Sequence, residues 1–140
     1  MVSITTAVAQ DFLDTINAAA NSGGAPVLRV YGNGSAPADA DAAATGTILV
    51  NLPMTATTTF AAATGSAGGA ASIVANTISA ATAVASHDPV YCRVISNGGS
   101  GDVVLQLTAG VGSGEVNFGS TIVSGASVTV TSLTVNMPNE

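Results

Sequence analysis

The sequence contains very few charged residues and no lysine. Only 7% of its 140 residues are charged, and the basic side chains are Arg29 and Arg93, against eight acidic residues and a net charge of −6. Ordinary soluble domains carry about 25% charged residues. Binding to nucleic acid or to anionic lipid needs several basic side chains on one face. Two arginines cannot form such a face, which argues against both kinds of partner.

Long apolar runs, a basic N-terminal region and a second cysteine are also missing. Without a window of about 18 consecutive apolar residues, we expect no transmembrane helix. Residues 1–6 carry no positive side chain, which argues against a secretory signal peptide. Cys92 is the only cysteine and cannot form an internal disulfide, so we expect cytoplasmic synthesis. A hydrophobic content of 47% and a mean hydropathy of +0.53 argue against disorder.

Small and β-branched residues dominate the sequence, in short runs separated by most of the 16 glycines. This pattern is typical of strands and turns. The stronger predicted strands are Val27–Tyr31, Thr47–Leu52, Val90–Ile95 and Val103–Leu107, and a short, weaker one is predicted at Thr57–Phe60. Further strands are predicted within residues 73–85, 116–118, 122–123 and 128–135. We predict an all-β fold, a two-sheet β-sandwich of jelly-roll type with about eight strands over residues 26–137, in a single domain spanning residues 1–140.

One amphipathic helix is predicted near the N-terminus, over roughly residues 5–20 of an N-terminal segment spanning 5–22. Val8, Phe12 and Ile16 recur at four-residue spacing, which places them on one helical face. The glycines that follow Ser22 are a helix-stop signal. We predict that the stripe of Val8, Phe12 and Ile16 packs into the core, with contact to a partner as the alternative.

Few residues could carry catalysis. His87 is the only histidine, and its neighbour Asp88 would point to the opposite face of an extended chain, so it cannot easily orient the imidazole. Cys92 lies within an apolar predicted strand, where we expect a buried and inert thiol. The Gly-x-Ser-x-Gly motif of many hydrolases is absent. We therefore predict that the protein is not an enzyme.

Metal and cofactor sites are equally poorly supported. Zinc needs about four nitrogen or sulfur ligands, and the chain has one histidine and one cysteine. Asp39 and Asp41 could lend two ligands to calcium, but no calcium-loop pattern follows and we interpret them as solvated turn residues. Gly110–Gly114 lacks the lysine and the following helix of a phosphate-binding loop. We predict no metal, no cofactor and no small-molecule substrate.

Four segments form a pattern of strand cores and turns: Gly46–Pro53, Val90–Gly99, Val103–Gln106 and Ser120–Thr134. Together with the N-terminal helix and the first strand after it, they resemble the capsid cement, or decoration, proteins of tailed phages. The resemblance covers about residues 12–137. His87-Asp88 departs from the Thr-Gly that these proteins often have before the central strand. No catalytic position is carried over.

The resemblance implies a non-enzymatic virion structural protein with a jelly-roll fold. Such a protein is synthesised in the host cytoplasm, lies on the outer surface of an icosahedral capsid, binds the major capsid protein, and bridges neighbouring capsomers as a homodimer. A surface poor in charge agrees with this role, because it packs against another protein without desolvating charges. The alternative is a tail-fibre or surface β-sandwich module that binds a receptor or glycan.

Two predicted loops, residues 33–44 and 61–70, are the candidates for capsid or dimer contacts. Small and polar residues make them adaptable to a partner surface. The candidate interface residues are Asn33, Pro37, Asp39, Asp41, Thr64 and Ser66.

Overall fold

The structure is a computed structural model that describes residues 4–65 and 70–137. In these ranges the chain forms one α-helix followed by ten β-strands, so the predicted all-β class with an N-terminal helix is confirmed. The elements are α1 (Thr6–Ala20), β1 (Val27–Gly32), β2 (Thr47–Pro53), β3 (Thr64–Gly65), β4 (Ala71–Val74), β5 (Ala81–Thr82), β6 (Pro89–Ile95), β7 (Val103–Val111), β8 (Val116–Phe118), β9 (Ser127–Val128) and β10 (Thr134–Met137). A 3-10 turn, Asn97–Gly99, lies between β6 and β7.

The strands form one large sheet and two small ones. The central sheet has the order β2-β1-β6-β7-β8, and its strands are antiparallel except for the parallel pair β7 and β8. A three-stranded sheet has the order β10-β4-β3, and β5 pairs with β9. None of the helices in the two described ranges is both long and apolar enough to cross a membrane.

The main core lies on one face of the central sheet. Successive side chains of a strand point to opposite faces, so Leu28 and Val30 of β1 share a face with Cys92 and Val94 of β6. They belong to one buried cluster with Leu13 of α1. We call this side of the sheet the inner face. Burying each large apolar side chain contributes roughly 1.5–3 kcal/mol.

Three of the predicted strands are wrong in detail. Residues 122–123 form no strand, and Ile122 makes only a single bridge to His87. Residues 57–60 form no strand apart from a single bridge between Phe60 and Ala75, because Thr57 has a φ of +65°, which an extended strand does not allow. The alternating segment 128–135 is split between β9 and β10. Its two ends pair in different sheets, so the chain must leave the first sheet before it enters the second.

The predicted burial of the helix stripe is wrong for two of its three residues. Val8 and Phe12 are 52% and 55% exposed, and Ile16 is half-buried against the core. The buried residues of α1 are Ala9, Leu13 and Ala20. The helix therefore turns Leu13 and two alanines inward and presents Val8 and Phe12 to solvent.

Hydrogen bonds to the neighbouring segment account for this rotation of α1. Gln10 Nε2 donates to the carbonyl of Ala63 (3.0 Å), and Asp14 accepts from the Ala63 amide (3.1 Å). Asn17 Oδ1 accepts from the amide of Phe60 (3.1 Å). The same orientation of α1 buries Leu13 almost completely, so these hydrogen bonds and the burial of Leu13 favour the same rotation.

Candidate interaction surface

A row of four polar side chains crosses the outer face of the central sheet. Arg29 and Arg93 are directly opposed on β1 and β6, with Asn51 beside Arg29 and Gln106 beside Arg93. The Nε atom of Arg29 donates to Asn51 Oδ1 (2.6 Å), and the Nε atom of Arg93 donates to Gln106 Oε1 (2.9 Å). Both cations of the chain therefore lie on the face opposite to the main core, in what we call the polar row.

The polar row holds the loop of residues 33–46 against the sheet. An Nη atom of Arg93 donates to the carbonyls of Ala42 (2.8 Å) and Asp39 (3.3 Å). Gln106 Nε2 donates to the carbonyl of Pro37 (2.8 Å). Arg93 is buried, so these carbonyls replace the water that its guanidinium loses.

Two stacked tyrosines support the same loop. The rings of Tyr31 and Tyr91 are parallel within 4°, with centroids 4.6 Å apart, and the guanidinium carbon of Arg93 lies 5.7 Å from the Tyr91 ring centre. The hydroxyl of Tyr91 donates to the carbonyl of Thr45 (2.7 Å) and accepts from its amide (2.9 Å). The loop is thus bound to the sheet by side chains along much of its length.

The candidate interface residues do not form one surface. Pro37 and Asp39 lie together over the polar row, where their carbonyls are bonded to the sheet. Asn33 and Asp41 are exposed on the same loop, whereas Thr64 is exposed on β3, which contacts α1. Ser66 lies outside the described residues. Partner contact by these residues stays a prediction.

The residues weighed for catalysis or metal binding are far from a reactive arrangement. Burial raises the pKa of the Cys92 thiol from 9.0 to about 12, which keeps it protonated. His87 is exposed and pairs through its backbone with Ile122. Asp39 Oδ1 accepts from the amide of Ala42 (2.8 Å) within its own turn. In residues 4–65 and 70–137, no group of three or more His, Cys, Asp or Glu side chains could hold a metal ion.

Glu115 closes the glycine-rich turn between β7 and β8. Its carboxylate accepts from the amide (2.8 Å) and the hydroxyl (3.1 Å) of Thr108, and its own amide donates to the Thr108 hydroxyl (3.1 Å). A Cβ atom on Gly114 would stand 3.0 Å from the backbone of Ala109. These contacts join two parallel strands through a connection much shorter than the dozen residues that parallel strands usually need.

The outer side of α1 carries two exposed large apolar residues, Val8 and Phe12. Phe12 lies there with Val8 and lines a groove of about 410 Å³, whose other wall carries Val103 and Val104 of β7. We call Val8, Phe12 and this groove the α1 groove. The other four aromatic residues of the chain are buried, at Tyr31, Phe60, Tyr91 and Phe118. Phe12 is thus the one aromatic ring that the protein offers to a partner.

The sequence predicted Phe12 as a core residue, with partner contact as the alternative, and neither wall of the α1 groove is among the predicted interface residues. Alternation alone does not tell which strand borders the helix, so Val103 and Val104 are predicted only as strand residues. Gln10, Asp14 and Asn17 also recur at helical spacing, but that spacing does not tell which segment they bond.

The comparisons with known proteins add no neighbour to this description. No family model matches the chain, and no curated protein or solved structure matches it at a significant level.

Proposed function

We propose that this chain is a non-enzymatic structural protein of a tailed-phage virion. It binds the outside of an icosahedral capsid, contacts the major capsid protein and cements neighbouring capsomers as a homodimer. The proposal includes the finer fold, in which the central sheet and the small sheets together make a jelly-roll sandwich. Its basis is the resemblance of the strand cores to cement proteins, together with the exposed apolar side of α1.

The observation that carries a docking role is the exposure of Val8 and Phe12. A protein with few charged side chains also presents a surface that is easily desolvated against another protein. Aromatic residues in the centre of an interface contribute much of its binding energy. A cement protein gains from such contacts because it binds the assembled lattice better than free subunits, and so stabilises the closed shell.

The distribution of aromatic residues favours this function over glycan binding. Sugar-binding sites commonly stack rings against the sugar, and Tyr31 and Tyr91 are buried in contact with each other. Phe12 is accessible, but no second exposed ring accompanies it, and the groove that it lines combines apolar side chains with the polar side chains of Thr15, Ser22, Ser96 and Asp102. A protein partner fits this chemistry better than a carbohydrate does.

The test is co-sedimentation with capsids of the phage that encodes the chain, prepared without this protein. We expect saturable binding, regular lattice positions in electron micrographs, and a higher temperature of capsid disruption. A dimer in sedimentation velocity experiments would support the assembly state. Failure to bind mature and immature capsids, with the protein left in the supernatant, contradicts the proposal. Binding to isolated carbohydrate in its place would favour the receptor-binding alternative.

A further inference from the structure

We propose that the α1 groove receives an apolar segment with basic flanks from a different polypeptide, and not a second copy of this chain. This inference deepens the proposed function and rests on it for the identity of the partner, a subunit of the capsid lattice. The inference is based on the position of Phe12 and Val103, which face one groove that has acidic residues on its borders.

The apolar part of the groove is fixed by the rest of the fold. The side chains of Gln10, Asp14 and Asn17 are committed to the backbone of residues 60–63. Rotating α1 to bury Phe12 would break these bonds. The exposed ring is therefore a stable feature of the surface that residues 4–65 and 70–137 form, and a binding partner can cover it.

Acidic residues border the apolar surface on two sides. Asp11 is exposed, directly precedes Phe12 and lies three residues after Val8, so it is on the neighbouring strip of the helix at 100° per residue. Asp102 is exposed and lines the groove at the start of β7. A segment that inserts an apolar side chain between these carboxylates gains attraction if it carries lysine or arginine on its flanks.

A second copy of this chain cannot provide that complement. In a two-fold dimer through the groove, the same patches would meet, so Asp11 and Asp102 would face acidic residues of the other copy. The sequence has no lysine, and Arg29 and Arg93 both lie in the polar row on the opposite face of the central sheet. A head-to-tail contact between groove and polar row would propagate into open chains instead of closing into a dimer.

The first experiment uses a synthetic amphipathic peptide of about 15 residues, with leucines at four-residue spacing and lysines on both flanks. A matched peptide carries glutamates in place of the lysines. Two-dimensional NMR of the full chain should show shifts at Phe12, Val103 and Asp102 with the basic peptide only. Its affinity should fall as salt rises from about 50 to 300 mM, because the flanking charges are exposed.

Variants of the protein test whether the basic peptide binds at the α1 groove or elsewhere on the surface. Phe12→Ser should weaken the binding of the basic peptide by about tenfold or more. The double variant Asp11→Asn with Asp102→Asn should also weaken this binding and make it less dependent on salt. Val84→Ser is the matched control, because Val84 is an exposed valine (68%) that does not line the groove, and it should bind like the wild type.

Three outcomes would overturn the inference: equal binding of both peptides, no binding of either, or self-association of the wild type that Phe12→Ser abolishes at pH 7. The capsid assay keeps this inference apart from the proposed function. If Phe12→Ser binds capsids as well as the wild type, the groove is not the docking site, although the cement role stands. If the wild type binds the basic peptide at the groove but binds no capsid, the cement role is contradicted and the inference about the groove is not.

Discussion

At the scale of single residues, the buried thiol of Cys92 links stability to pH. Its pKa is raised from 9.0 to about 12 by desolvation. The unfolded chain releases this proton above pH 9, whereas the folded chain retains it until about pH 12. Stability from the protonated thiol is thus fully present below pH 9 and is lost as pH rises beyond it, by about 1.4 kcal/mol per unit.

We expect this loss to appear in a comparison with Cys92→Ala, which has no titrating group. At pH 7 the wild type should be the more stable protein by roughly 1 kcal/mol, because the smaller side chain leaves a cavity. At pH 10 the release of the thiol proton in the unfolded chain should remove that advantage. Urea unfolding at both pH values measures the difference. If the difference in the free energy of unfolding between the two proteins stayed constant from pH 7 to 10, the raised pKa of Cys92 would be contradicted.

At the scale of elements, the loop of residues 33–46 depends on close backbone packing at its base. Gly46 has a φ of +80°, and a Cβ atom there would overlap the carbonyl oxygen of Gly32. Gly112 in the β7–β8 turn has a similar φ of +70° with open space around it. The two glycines therefore separate the cost of backbone conformation from the cost of a steric clash.

We expect Gly46→Ala to be much more destabilising than Gly112→Ala. The control substitution should cost about 1 kcal/mol, from the left-handed conformation alone. Gly46→Ala adds the clash, so its total cost should reach about 3 kcal/mol or more. Chemical denaturation gives the two values, and hydrogen exchange at Thr45 tests whether the loop has separated from Tyr91. Equal costs for the two variants would show that the base of the loop is not closely packed.

The helix α1 shows how far the sequence alone could predict the structure. Its bounds followed from periodicity and from the glycines after Ser22, which are local signals. Its rotation did not, because it depends on the unpaired backbone of residues 60–63, which are distant in sequence. The strand cores around Val30 and Val94 were likewise predictable from β-branched runs, whereas the separation of β9 and β10 depends on which sheet each strand joins. The α1 groove depends on this rotation, so the sequence predicted the apolar stripe of α1 but not its exposure beside β7.

At the scale of the whole molecule, a surface with few charges and an exposed apolar groove favours self-association, and repulsion between acidic side chains opposes it. The net charge of −6 at pH 7 is carried by a chain whose isoelectric point is about 4.1. Near pH 4.1 the net charge of the chain is close to zero, and proteins without net charge tend to associate. The same groove that excludes a second copy at pH 7 should therefore accept one in acid.

We accordingly expect reversible association at pH 4.1 that light scattering detects and that return to pH 7 reverses. Circular dichroism at both pH values establishes that the fold is retained. Phe12→Ser should remain dispersed at pH 4.1, because it removes the ring at the centre of the α1 groove, whereas Val84→Ser should associate like the wild type. Association of Phe12→Ser to the same extent would mean that loss of net charge acts on the surface as a whole, and that the acidic residues beside the groove have no special part in keeping the copies apart.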